Sequence, residues 1–252
     1  MSLATIHSRA CLGIDAPAVQ VEVHLANGMP SLTLVGLPET AVRESKDRVR
    51  SALLNAQLEF PGSKRITISL APADLPKDGG RFDLAIALGL LAASGQIPAQ
   101  ALTDCECIGE LALSGELRPI QGVLPVALAC RDAGRKLILP AANAAEAALV
   151  SGIELIAADH LLPLCAHLRG EQRLPDLPPT APSEPARHAD LADVQGQEQA
   201  KRALIIAASG GHNLLLFGPP GTGKTLLASR LPGILPPLAE QEALEVAAIQ
   251  SV

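Results

Sequence analysis

The chain has 252 residues, which is enough for one large domain or two ordinary ones. Hydrophobic residues make up 48% of it, yet it contains no Trp, no Tyr and only three Phe, which argues against aromatic platforms that stack single-stranded bases. The net charge of −6 excludes a globally basic nucleic-acid-binding module. Contact with a phosphate backbone would therefore require a local patch or a ring of subunits.

The apolar runs indicate where the protein is located, and the spacing of the cysteines indicates the redox state of their thiols. The first residues lack the apolar stretch of a signal peptide, and the longest apolar run, Leu84–Ala93, is too short to span a bilayer. We therefore expect a cytoplasmic protein with no membrane partner. The five cysteines are scattered, and Cys105 and Cys107 are one residue apart, which is not a usual zinc spacing. We expect reduced thiols packed in the core.

Predicted strands and helices follow one another from residue 19 to residue 168. Apolar residues alternate from Val19 to Leu25 and predict a strand with one wet face, and Ser31–Val35 predicts a second strand. The next helix carries apolar residues at helical spacing over residues 42–56. Its opposite side bears Arg43, Lys46, Asp47 and Arg50, which form either a solvated face or a patch that binds an anion or DNA.

The remaining pattern completes a compact α/β domain of helices on a sheet of branched aliphatic residues. The further predicted strands are Arg65–Leu70, Glu106–Leu113, Lys136–Leu139 and Ile153–Ala157, and the further predicted helices are Phe82–Ser94, Val123–Ala133, residues 142–149 and Leu161–Leu168.

A proline-rich segment divides the chain. Five prolines fall between Pro175 and Pro185, a composition that favours extended chain over a packed core. We predict a domain over residues 1–170, a linker over residues 171–189 and a second unit over residues 190–252.

The second unit contains a nucleotide-phosphate-binding motif. An apolar run, Asn213–Phe217, predicts a buried strand and leads into Gly218-Pro219-Pro220-Gly221-Thr222-Gly223-Lys224-Thr225, followed by a helix over Leu226–Leu231. Glycines let successive main-chain N–H groups point at phosphate oxygens, and the helix contributes its positive end. Lys224 would lie near the β and γ phosphates of ATP, and the Thr225 hydroxyl would bind Mg²⁺.

Hydrolysis of a bound nucleotide needs an acidic residue after a downstream apolar strand. Residues 226–252 contain no run of four apolar residues followed by Asp or Glu. We therefore expect the chain to be truncated before the catalytic acid, so that it binds ATP without hydrolysing it.

Four sequence blocks are similar to the ComM/YifB family of bacterial Mg-chelatase-like AAA+ ATPases. They are LVGLPETAVRESKDRVRSA, LAPADLPKDGGRFDLAIALGLLAAS, IGELALSGELRPIQGVLPVALA and GGHNLLLFGPPGTGKT. The resemblance covers essentially the whole chain. It implies an α/β fold in which a ribosomal-protein-S5-domain-2-like domain, related to the Lon protease domain, is followed by the start of a P-loop AAA+ domain. Asp193–Gln197 resembles the opening of AAA+ modules, which would place Val194 to Gly196 against the adenine base.

The relation to Lon can be tested on two positions. Lon-type proteases carry a nucleophilic Ser after PKDGx, where this chain has Arg81, and a catalytic Lys where it has Leu124. A Ser–Lys dyad needs a hydroxyl and an amine, so we expect a scaffold without peptidase activity. One hypothesis is that Arg81 and Lys77, with Lys64 and Arg65 nearby, form an edge that contacts DNA or a neighbouring subunit. The alternative is a structural salt bridge from Arg81 to Asp78 or Asp83.

The resemblance also implies a homo-hexameric, ATP-driven motor for DNA branch migration in natural transformation and recombination. Two alternatives are a chelatase-type ATPase that drives metal insertion into a tetrapyrrole and a non-enzymatic nucleotide-binding scaffold. Chelatase ATPase subunits generally lack a large domain like residues 1–170, which favours the DNA motor.

Overall fold

The computed structural model describes residues 2–36, 40–77, 79–175 and 188–252; for residues 40–43 it describes the main chain only. The predictions for the Arg43 side chain on the first helix and for a salt bridge from Arg81 to Asp78 therefore concern residues outside this description. The chain divides into two compact units, one of residues 1–180 with 244–252 and the other of residues 181–243.

A seven-stranded mixed sheet forms the centre of the first unit, in the order β3-β4-β2-β1-β5-β8-β9. The β1–β2 and β2–β4 pairs are antiparallel, and the other four pairs are parallel. The strands are β1 (Ser2–Arg9), β2 (Ala18–Ala26), β3 (Ser31–Val35), β4 (Arg65–Ala71), β5 (Cys105–Cys107), β8 (Lys136–Pro140) and β9 (Leu155–Ala158), while β6 (Glu110–Leu111) and β7 (Leu117–Arg118) form a separate hairpin.

Helices cover this sheet and supply its apolar contacts. The main core packs one face of β1, β2 and β4 against helices α1, α2 and α5, and a second cluster lies between the other face of β8 and α3. Leu137 and Leu139 belong to the second cluster and Ile138 to the main core, as the alternation of strand side chains requires. The helices are α1 (Thr40–Asn55), α2 (Asp83–Ala93), α3 (Val123–Asp132), α4 (Ala144–Ala147) and α5 (Leu161–Leu168).

The predicted strand Glu106–Leu113 is wrong in its extent, because the chain leaves the sheet at Gly109. The Gly109 amide donates to the Arg81 carbonyl at 2.9 Å, and the Leu84 amide donates to the Gly109 carbonyl at 3.0 Å. Both main-chain groups of Gly109 thus bond to the start of α2 instead of a neighbouring strand. This exchange ties the end of β5 to the loop that carries Arg81.

The cysteines are packed as predicted. All five are free thiols, and every one except the partly exposed Cys11 is buried. Burial raises the pKa of the Cys105 and Cys107 thiols, and it raises that of Cys165 to about 11. No group of three or more potential metal ligands occurs among the described residues. None of the helices in that part of the chain is long and apolar enough to cross a membrane.

A buried ion pair fastens α1 to α2. The Arg48 guanidinium donates to both carboxylate oxygens of Asp83, at 2.8 and 3.1 Å, and the Asp83 side chain is fully buried. Burial raises the pKa of Asp83, and the bonds from Arg48 oppose that rise. The Leu111 amide also donates to Asp83, at 3.3 Å, so this carboxylate joins two helices and the hairpin. Arg48, rather than Arg81, is the ion-pair partner of Asp83.

The second unit contains α6 (Glu198–Gly210) and α7 (Lys224–Ala228), and helix α8 (Glu240–Ser251) begins in it. The predicted strand at 213–217 is wrong: this segment is extended but belongs to no sheet in the described residues. A strand needs a neighbour for its main-chain groups, and none is present in the described part of this unit. Leu215 and Phe217 are consequently 84% and 89% exposed.

Removal of Arg48 should expose the dependence of the helix pair on Asp83. We expect Arg48→Ala to lower the free energy of unfolding by about 3–5 kcal/mol at neutral pH, because an uncompensated carboxylate remains buried. The loss should shrink as the pH falls, since Asp83 with its raised pKa becomes protonated and neutral. Arg131→Ala, which removes a partly exposed arginine bonded to the exposed Asp132, is the control and should change stability by less than about 0.5 kcal/mol. Urea unfolding at several pH values measures both, and equal losses in the two variants would contradict the assignment.

Candidate functional site in the second unit

The loop between Phe217 and α7 is curled. Gly218, Gly221 and Gly223 have φ angles of 149°, 82° and 80°, a region that side chains disfavour. Pro219 and Pro220 contribute no N–H group. The sequence places glycine at each position where the chain has to reverse, and the result is a turn that leads directly into the first residue of α7, Lys224.

The main-chain amides of this turn lack protein acceptors. Within the described residues, the N–H groups of residues 221–226 donate to no protein atom. The next amide along the chain, that of Leu227, donates to the Gly223 carbonyl at 3.0 Å. Consecutive unpaired amides at a helix start have a partial positive charge and are exposed here to solvent. Such an array is chemically suited to accept the oxygens of an anion.

Lys224 lies over the same loop. Its amine donates to the carbonyls of Gly218 at 2.9 Å and Pro219 at 2.8 Å, and it is 3.3 Å from the Thr222 hydroxyl oxygen. The amine is therefore held beside the amide array and is not engaged in a core contact. Thr225, on the first turn of α7, is exposed.

Gln197 connects the upstream segment to the loop, a role that sequence reasoning did not assign. Its side-chain amide donates to the Thr222 carbonyl at 3.1 Å, and a Cβ atom on Gly223 would lie only 2.9 Å from the same nitrogen. Gln197 has a positive φ of 55°, as does the preceding Gly196 at 68°. The adjacent Gly-Gln pair before a helix was the only sequence signal, and it does not reveal a contact 25 residues away.

Val194 is buried in a small apolar cluster beneath the loop. Its exposed fraction is 2%, and its cluster contains Leu191, Leu204 and Leu227. Leu227 follows the loop by two residues, so this cluster fixes the Asp193–Gln197 segment relative to α7. The side chain of Val194 faces this cluster, which leaves the neighbouring main chain and Gly196 at the surface.

The two Lon-dyad positions meet in the first unit. Arg81 donates to the Gln121 carbonyl at 3.0 Å, and both residues line a cavity of about 270 Å³ with Cys11, Gly80 and Gly122. Leu124 does not line this cavity; it lies two residues after Gly122 and is buried in the second apolar cluster. The fold thus brings the two segments together, while the side chains present are a guanidinium and an isobutyl group.

The prediction that Lys77 contacts DNA conflicts with its position. Lys77 is fully buried, and its amine donates to the carbonyls of Gly36, Pro72 and Leu75. Burial lowers the pKa of this amine. Each of the three N–H groups of the Lys77 ammonium thus has a carbonyl acceptor, so Lys77 acts as a structural clamp that holds the loop preceding Arg81 in place. Lys64 and Arg65, in contrast, are exposed.

Comparisons with known proteins agree with these features. The profile described as "Subunit ChlI of Mg-chelatase" matches residues 21–143, and that described as "Magnesium chelatase, subunit ChlI" matches residues 190–252. The uncharacterized protein YifB of Salmonella typhimurium is 57% identical over 252 residues, and the competence protein ComM of Haemophilus influenzae is 52% identical over 257. Each match covers 100% of this chain and 50% of the relative. The chain belongs to the ComM/YifB family.

The same comparisons give two further findings, on the length of the relatives and on Lon proteases. The chain spans about half the length of the curated relatives it matches. Lon protease 2 of Bacillus subtilis is 29% identical over 154 residues, which is 55% of this chain and 27% of that protein. This similarity accords with the mixed α/β architecture and with the meeting of the Arg81 and Gln121 loops.

The position of Lys77 yields a stability test. We expect Lys77→Ala to lower the free energy of unfolding by about 1–3 kcal/mol, because three carbonyls in partly buried hydrogen bonds lose their donor. Lys64→Ala removes an exposed amine bonded to Asn27 and should change stability by less than about 0.5 kcal/mol. Thermal and urea unfolding distinguish the two, and an unchanged stability in Lys77→Ala would contradict the clamp.

Proposed function

We propose that this chain binds ATP with Mg²⁺ as part of an AAA+ motor of ComM type that acts on DNA. The observation that carries the proposal is the array of unpaired amides at residues 221–226 beside the Lys224 amine. In this proposal residues 218–225 enclose the phosphates, and Lys224 neutralises the β and γ phosphates. The Thr225 hydroxyl would bind Mg²⁺, and Val194 to Gly196 would border the adenine base.

The family gives the wider part of the proposal. The similarity to a competence protein, ComM, favours a homo-hexameric, helicase-like role in branch migration during natural transformation and recombination. Residues 1–170 would form an S5-domain-2-like, Lon-like scaffold without a peptidase dyad. Residues 171–189 would link this scaffold to the AAA+ module of residues 190–252. We place the protein in the cytoplasm.

A second candidate function comes from the two chelatase profiles. Both describe subunit ChlI of magnesium chelatase, so an ATPase that drives metal insertion would use the same phosphate loop. The full-length gene product separates the two functions. Assembly measured by sedimentation with ATP should increase with forked DNA for the DNA motor, and it should be indifferent to DNA for a chelatase.

The phosphate loop is tested by removal of its lysine. We expect Lys224→Ala to weaken ATP binding by about 100-fold, because a charge-assisted contact of roughly 3 kcal/mol is lost. Lys201→Ala is the matched control: it removes a lysine from α6 of the same unit, bonded to Glu198, and it should leave affinity unchanged. Isothermal titration with ATP and Mg²⁺ measures both.

The proposal fails if ATP binding is the same in Lys224→Ala and the unmodified chain. A Gly223→Ala variant gives an independent check, since the φ of 80° at this position is strained for alanine and the turn would have to change. Its affinity for ATP should fall while its helical content remains that of the unmodified chain by circular dichroism.

A further inference from the structure

A cluster of positive side chains lies at one corner of the first unit. Lys46 and Arg50 from α1, and Lys64 from the turn before β4, line a cavity of about 260 Å³ together with the ring of Phe60. Asp47 is the only carboxylate of that lining. We call Lys46, Arg50, Lys64 and Phe60 the cationic corner.

The cations of this corner are not neutralised within the described residues. None of Lys46, Arg50 and Lys64 forms an ion pair there, in contrast to Arg48 on the same helix. The Lys64 amine donates to a neutral partner, Asn27, at 2.8 Å. Most other described arginines and lysines of the first unit have a carboxylate or buried carbonyls as partners, so this corner is a local positive patch on a chain of net charge −6.

Arg50 is held in place by an aromatic ring. Its guanidinium carbon lies 5.4 Å from the centre of the Phe60 ring, within the range of a cation–π contact. The turn beneath the ring is tight, since the Gly62 amide donates to the Phe60 carbonyl at 2.7 Å. A guanidinium held over a ring by a cation–π contact retains its N–H groups for a phosphate.

The edge strand extends the corner. Strand β3 is at one end of the sheet, and Ser31 is paired with the exposed Arg65 at the start of β4. Pro30, Ser31 and Leu32 complete the cavity wall. One open cavity thus contains the Ser31 hydroxyl, three cations without an ion pair in the described residues, and an aromatic ring beneath one of them. Several cations along one surface suit a repeating phosphodiester better than a single carboxylate.

We propose that the cationic corner binds the phosphate backbone of a nucleic-acid strand. This deepens the proposed function, on which it rests, by naming the surface that meets DNA. It also replaces the edge formed by Lys77 and Arg81, because Lys77 is buried and Arg81 is bonded to Gln121.

The experiment measures binding of a fluorescein-labelled oligonucleotide by anisotropy at several NaCl concentrations. All variants carry Lys224→Ala, so that the loop of residues 218–225 does not hold the phosphates of the probe. We expect Lys46→Glu/Arg50→Glu to weaken binding at least tenfold. It should also reduce the slope of log K against log salt by about 1.4 for single strands, at roughly 0.7 per phosphate contact.

The matched control is Arg118→Glu/Arg131→Glu, which makes the same charge change at one exposed and one partly exposed position elsewhere in the same unit. It should keep the affinity within about twofold, since surface charge far from a contact is screened. Circular dichroism confirms folding, and Lys46→Gln/Lys64→Gln provides a milder variant with the same expected direction should the charge reversal unfold the chain.

Four outcomes overturn the inference. An equal loss of DNA affinity in the corner and control variants would show a general charge effect. An unchanged salt slope in the corner variant would show that DNA binds elsewhere. Both of these outcomes leave the proposed DNA-directed function intact. Displacement of the probe by poly-glutamate as readily as by unlabelled oligonucleotide would identify an acidic polypeptide as the ligand. Failure of the parent chain to bind DNA at any salt concentration would overturn both proposals, whereas the ATP titration tests the phosphate loop separately.

Discussion

The candidate site depends on main-chain amides that have no acceptor among the residues the structure describes. A buried polar group without a partner is costly, but at residues 221–226 water can solvate the amides until an anion replaces it. Glycines with positive φ make this possible, because they reverse the chain without side chains that would fill the space. The apolar cluster of Val194, Leu204 and Leu227 then holds the turn against α6.

Periodic patterns were enough to predict much of the first unit. The alternation in β2, the helical spacing in α1 and the apolar run of α2 all correspond to observed elements. Strand β1 was not predicted, although it pairs with both β2 and β5, because its residues mix polar and apolar types without a clear turn before them. Long-range pairing supplied the stabilisation that the local sequence does not reveal.

Other features could not be read from the sequence because they depend on partners far along the chain. The end of β5 at Gly109 reflects bonds to Arg81 and Leu84, and the burial of Lys77 reflects carbonyls from separate loops. The segment of residues 213–217 has the composition of a strand but no neighbour to bond. In the candidate site the motif indicated that residues 218–225 form one loop, whereas no sequence pattern indicated the contact from Gln197 to Thr222.

The three protons of the Lys224 ammonium are already shared among Gly218, Pro219 and the Thr222 hydroxyl. An incoming phosphoryl oxygen must therefore displace one of them, and the Thr222 contact, at 3.3 Å the longest, is the easiest to exchange. That hydroxyl has its own bond to the Pro219 carbonyl, at 3.0 Å, so it is not stranded after release. If the loop binds a nucleotide as proposed, Thr222 would hold the ammonium in position beforehand, and binding would substitute a phosphoryl oxygen for the Thr222 hydroxyl oxygen.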